Sequence, residues 1–174
     1  MQEEYVEKFK LFLPKLRRFA YGLCGSATVA EDLVQEAFTR LLSSKGSQEQ
    51  YAEQWLFKIV RNLHIDLIRK EDIRDRYHER AKEFSRGGND GTAQIETLIT
   101  LAHVRDLINR LPIEQREVLL LVGVEGYSYR EASEILELPI GTVTSRLARA
   151  RNRLLGSYSE YSAPKEVVAD GGAK

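Results

Sequence analysis

The segment that most constrains this chain is Leu138-Pro139-Ile140-Gly141, which interrupts a run of helical periodicity extending from Leu111 to Leu155. Proline removes a backbone donor and crowds the turn before it, and glycine loosens the backbone, so one helix must stop and another start within a few residues. The run before this break is short and opens at Ser128. Ser128 and Glu131 have the spacing of a capping box, ahead of the apolar Ala132, Ile135 and Leu136. An earlier run, Pro112 to about Val122, is closed by Gly123 and the Glu125-Gly126 pair. Pro112 suits the first helical position, where its missing N–H costs nothing.

The run after the break is expected to start near Thr142. Val143, Leu147, Ala150 and Leu154 fall on one side of it, and Thr142, Ser145, Arg146, Arg149 and Arg153 on another. Two short helices joined by a tight turn, the second rich in arginine, are what a helix-turn-helix requires. An arginine-rich helix alone reads more readily as a plain amphipathic helix with a solvated basic face, but the capped helix and tight turn before it reverse this and point to DNA. Arginine bonds guanine bidentately or holds phosphate, and serine and threonine suit either target. Thr142, Ser145, Arg146 and Arg149 are therefore candidates for base-edge contacts, and Arg151 and Arg153 for phosphate.

The rest of the chain also reads as helix. A first helix is expected from about Glu4 to Leu23, kinked or broken at Pro14 and ended by Gly22 and Gly25. A second starts near Thr28 with a capping box from Thr28 and Glu31. A third runs from about Tyr51 into the charged stretch 69–80, with Trp55, Ile59, Leu63 and Leu67 on its core face, joined by Leu56 and Val60. Residues 85–92 hold three glycines and no hydrophobic side chain, which marks a linker. Residues 95–109 read as helix again, and those after Gly156 as a loose tail. The fold class is thus all-α, two small helical domains joined by a flexible linker.

Charge and cysteine usage narrow the function. The formal net charge is zero, yet residues 138–155 carry four arginines and no acid, while residues 26–39 carry Glu31, Asp32 and Glu36 and no base. A neutral total can hide one face for DNA and another for a basic protein. No apolar run reaches the roughly 18 residues that span a bilayer, the acidic start does not read as a secretory signal, and Cys24 is the single cysteine. These features suggest the cytoplasm and no membrane insertion. Cys24, His64, His78 and His103 lack metal-ligand spacing, and His64 and His78 are expected at the surface. Gly87, Gly88 and Gly91 lack the strand that a nucleotide loop needs. No enzyme, metal, cofactor or small-molecule substrate is expected.

The stretches LPIEQREVLLL (111–121), GYSYREA (126–132) and PIGTVTSRLARAR (139–151) resemble region 4 of the extracytoplasmic-function (ECF) sigma factors of bacterial RNA polymerase. EDLVQEAF (31–38) resembles region 2.2, and WLFKIVRNLHIDLIRK (55–70) regions 2.3 and 2.4. The resemblance implies a region 2-like domain over residues 1–80, a linker over 81–94, a region 4-like domain over 95–156 and a tail over 157–174. It implies a transcription initiation factor that binds core polymerase and directs it to promoters, with an anti-sigma factor as a further partner. Asp32, Gln35, Glu36 and Arg40 would then dock on the clamp helices of the largest polymerase subunit. Lys58, Arg61, Asn62, Arg69 and Lys70 would face the −10 element, the 43–50 loop forming a base pocket, and residues 142–153 would read the −35 element. Trp55 reads as core rather than as a stacking platform. A stand-alone helix-turn-helix regulator would leave the N-terminal half unexplained. A decoy that binds only an anti-sigma factor would have no need of the arginine face.

Overall fold

The computed structural model describes residues 2–43, 52–78 and 104–162. The proposed linker, the 44–50 loop and the segment after residue 162 lie outside the described residues. Among the described residues seven helices follow one another: α1 (Gln2–Cys24), α2 (Ala27–Ser43), α3 (Ala52–His78), α4 (residues 104–109), α5 (Ile113–Val118), α6 (Tyr129–Leu136) and α7 (Ile140–Ser162). A π-helical turn, Leu119–Val124, extends α5. Among the described residues there is no strand.

α1 packs against α2 and α3 by burying Leu16, Phe19, Ala20 and Leu23 against Ala30, Leu33, Val34 and Ala37 of α2 and Leu56, Phe57 and Val60 of α3. The helix runs through Pro14 without a break, and Pro14 lies at the exposed surface. α2 starts before the expected Thr28. Ser26 Oγ accepts from Val29 N at 3.4 Å, and Ser26 O accepts from Ala30 N at 2.9 Å. The Thr28–Glu31 box does not form because Glu31 is drawn into a bidentate pair with Arg17, at 3.0 and 2.8 Å. That pair raises the Arg17 pKa and lowers that of Glu31.

In the C-terminal half, α5, the π turn, α6 and α7 enclose Val118, Leu119, Leu120, Leu121, Ala132, Ile135, Leu136, Val143, Leu147 and Ala150. Ser128 and Glu131 form the expected capping box, with Glu131 N donating to Ser128 Oγ at 3.2 Å and Ser128 N donating to Glu131 Oε2 at 2.8 Å. Ser128→Ala is expected to lower stability by about 1 kcal/mol, measured by urea unfolding; an unchanged midpoint would show that the cap contributes nothing. α6 ends at Glu137 in the left-handed conformation, φ 55°. Pro139 O then accepts from Thr142 N at 2.8 Å, so α7 begins at Ile140, two residues before the expected start. α7 also continues to Ser162, through the first residues of the expected tail. Pro112 stands at the N-cap of α5 rather than inside it.

The two halves share one contiguous core, and this changes how α3 and α1 are read. Phe57 is fully buried because it faces both ways, with its ring 5.1 Å from Phe19 and 5.2 Å edge-on to Tyr127. Trp55, Ile59 and Leu63 pack at the edge of this core, and Leu67, an expected core residue, is exposed. Gly22 does not end α1 but lies inside it, where an added Cβ would stand 2.5 Å from Leu120 of the C-terminal half. The turn after α1 is made by Gly25 alone, at φ 70°.

His64, expected at the surface, is buried. Burial, helped by the nearby Arg116 charge, lowers its pKa from 6.5 to about 4. The folded state therefore holds His64 neutral, while the unfolded chain protonates it near 6.5. Stability is fully present above that pH, declines as pH falls toward 4, and is flat below. Unfolding midpoints at neutral pH and at about pH 5 are expected to differ more in the wild type than in His64→Asn. An identical pH slope in both would remove His64 as the source.

Candidate nucleic-acid interface

Position on the α7 cylinder decides what each side chain can reach. At 3.6 residues per turn, the buried Val143, Leu147 and Ala150 place Gly141, Ser145, Ala148 and Asn152 opposite the core, with Thr144 and Arg151 on one flank and Thr142, Arg146 and Arg153 on the other. Gly141, Thr144, Ala148, Arg149, Arg151, Asn152 and Arg153 are exposed, while Thr142, Ser145 and Arg146 are half-buried. The hydroxyls of Thr144 and Ser145 donate back to Ile140 O and Thr142 O, at 2.9 and 3.1 Å. Ala148 and Asn152, and Thr144 on the flank, are exposed beside the expected residues, although the expected set leaves them out. The signal for them is their spacing from the apolar Val143, Leu147 and Ala150, which the 3.6-residue period already gives.

Arg146 points elsewhere. Its Nη1 donates to Glu117 Oε1 at 3.3 Å, and Glu117, on α5, is 1% exposed. The same carboxylate accepts from Arg61 of α3, Nε at 2.6 Å and Nη2 at 3.3 Å. A buried carboxylate is costly unless paired and fully hydrogen-bonded, and two guanidiniums meet both requirements. A residue from each expected DNA-reading helix therefore converges on one acid.

The other α3 residues divide between two directions. Lys58 pairs with Glu137 at the end of α6, and Asn62 Oδ1 accepts from Arg61 Nη1 at 3.4 Å. Arg69 and Lys70 lie exposed further along, Arg69 3.7 Å from Asp66. On α2, Asp32, Gln35, Glu36 and Arg40 share one exposed face, with Arg40 paired to Glu36 at 2.9 Å. Arg18 holds the buried Glu125 bidentately, at 3.1 and 2.7 Å, and its pKa is raised by that pair. Tyr127 donates to Glu53, and burial reinforced by this bond raises the phenol pKa. Arg116 ties the end of α1 to the turn before α5, donating to Leu23 O at 2.7 Å and Leu111 O at 3.0 Å. Among the described residues no group of His, Cys, Asp and Glu could hold a metal ion.

A short capped helix, a tight turn and a long helix with outward arginines form one unit, and a second helical unit precedes it. Residues 9–73 match the family described as Sigma-70 region 2, and residues 101–154 match Sigma-70, region 4. The ECF RNA polymerase sigma factor EcfG of Rhodopseudomonas palustris is 39% identical over 149 residues, covering 82% of this chain and 78% of that protein. The chain belongs to the ECF sigma factors of RNA polymerase. ECF sigma factor SigW of Bacillus subtilis is 29% identical over 164 residues, covering 88% of each chain. The solved sigma factor RpoE of Bartonella quintana, in complex with the anti-sigma factor NepR, superposes with a TM-score of 0.72 at 33% identity, covering 90% of this chain and 98% of that one. CnrH, solved with the cytosolic domain of CnrY, shares the fold at a TM-score of 0.69, covering 93% of this chain and 92% of that one. Sigma factors are transcription initiation factors that direct polymerase to promoters, so this is the functional class of the molecule. Among its described residues no helix is long and apolar enough to cross a membrane.

Proposed function

We propose that this sigma factor places core RNA polymerase on a defined promoter class by reading two elements at once. The observation that carries the reading is the α6–turn–α7 unit, whose capped entry and outward Arg149, Arg151 and Arg153 fit a major groove. Arg149 with Thr142 and Ser145 reads base edges of the −35 element, and Arg151 and Arg153 hold its phosphates. Arg146 acts through Glu117, orienting α7 on α5, and reaches the groove only from the flank. Lys58, Arg61, Asn62, Arg69 and Lys70 of α3 serve the melted −10 strand, combining backbone charge with a polar edge reader. The exposed α2 face of Asp32, Gln35, Glu36 and Arg40 docks on polymerase, where complementary charge speeds encounter.

The functional units follow the two matched segments, with a region 2-like part to about residue 80 and a region 4-like part from about residue 95. The protein works beside polymerase in the cytoplasm, carries no catalysis or cofactor of its own, and is held in check by an anti-sigma factor, as its structural relative is solved bound to one. Run-off transcription from a pool of genomic promoters tests the reading. Adding the protein to core polymerase is expected to produce discrete transcripts that core alone does not. Duplex binding without any transcript would overturn it and favour a stand-alone regulator.

A further inference from the structure

We propose that the two halves form a closed, self-screened state in which acids of the C-terminal half occupy the α3 cations that promoter DNA would use. This rests on the assignment of α3 to the −10 strand. The three described ion pairs between the halves all run the same way: Arg18, Lys58 and Arg61 supply the charge from the N-terminal half, and Glu125, Glu137 and Glu117 receive it from the C-terminal half. Glu137 and Glu117 thus present to Lys58 and Arg61 of α3 what a nucleic-acid strand presents, oxygen anions, while Glu125 meets Arg18 on α1. Arg61 keeps only 21% of its side-chain surface and Lys58 35%. A phosphate cannot reach Arg61 while Glu117 holds it.

The arrangement is also built to come apart. Glu117 keeps Arg146 within its own half when Arg61 leaves, so opening does not strip that carboxylate of every partner. The Lys58–Glu137 pair is half in water, and such pairs are individually weak and screened by salt. Apolar contact between the halves centres on Phe57 against Tyr127 and on the close approach of Gly22 to Leu120. Gly22 is a wedge point: it lies in a regular helix, carries no charge and belongs to neither DNA-reading face.

Two variants separate this clamp from simple structure. Gly22→Leu drives a side chain into Leu120, and Glu137→Lys sets a like charge against Lys58. Glu134→Lys makes the same charge change on the outer face of α6, where Glu134 pairs only with Arg130 of its own helix among the described residues, and serves as the control. The full-length chain is followed by small-angle scattering and by anisotropy of labelled oligo(dT), a sequence-independent single strand. Both test variants are expected to expand and to bind oligo(dT) about tenfold tighter than wild type. The salt slope should steepen by about 1.4, the release of two phosphate contacts at roughly 0.7 each on single strands; the control should do neither. Expansion without tighter binding overturns the proposal, as does a failure of both variants to expand. Run-off with core polymerase is scored separately, so missing wild-type transcripts would count against the promoter-directing role, and unchanged anisotropy against the clamp.

Discussion

Glu117→Ala is expected to lower folding stability by about 2–4 kcal/mol. Removing one partner of a buried ion pair leaves charge without compensation, which costs about 3–5 kcal/mol when burial is complete. Arg61 and Arg146 keep 21% and 23% of their side-chain surface, so water recovers part of that cost. Without the carboxylate the two guanidiniums also face one another. For a chain of this size the melting temperature should fall on the order of 10 °C. Glu117→Gln keeps the shape and the acceptor oxygen and should lie between alanine and wild type. A melting temperature within a degree or so of wild type in Glu117→Ala would mean that the paired arginines are already solvated and that the acid organises nothing.

Arg149→Ala/Arg151→Ala should have the opposite signature, with stability intact and promoter selection lost. Both side chains are exposed and neither enters an ion pair among the described residues, so their removal should change stability by no more than about 0.5 kcal/mol. A good bidentate base contact is worth about 1–3 kcal/mol of discrimination, and a lost phosphate contact weakens binding further. Transcription from a promoter that depends on its −35 element should fall at least tenfold, while affinity for core polymerase stays at the wild-type value. A variant that transcribes normally would move the base-reading residues elsewhere on α7, with Thr144 and Asn152 next in line. Arg146→Ala cannot serve this purpose, because it also removes one of the two guanidiniums paired with the buried Glu117.

What the sequence revealed was local. The capping box at Ser128, a break between α6 and α7 and the exposed arginines of α7 each depend on residues a few positions apart and are present, although the break closes before Ile140 and Arg146 turns to Glu117. What it hid was long-range. Glu117 meets Arg146 across 29 positions and Arg61 across 56, and no periodicity announces a shared carboxylate. His64 reads as a surface residue when α3 is taken alone, whereas α3 is covered on two sides. Gly22 signals a helix end by residue type, but its physical reason is the approach of Leu120. Glu31 has the right spacing for a cap and is taken by Arg17 instead. The polymerase face of α2 is legible only through resemblance, since an exposed charged helix face looks the same whether or not a partner covers it.

The central claim is that α7 and α3 engage one promoter together, although in the closed molecule their arginines share a single acid. Footprinting of the holoenzyme on a promoter taken from the run-off pool, combined with permanganate probing of unpaired thymines, tests this most directly. The expected result is protection of the −35 duplex together with reactive thymines in the −10 region, both lost in Arg149→Ala/Arg151→Ala. Protection upstream with a −10 region that stays double-stranded, or melting that persists in the variant, would contradict it.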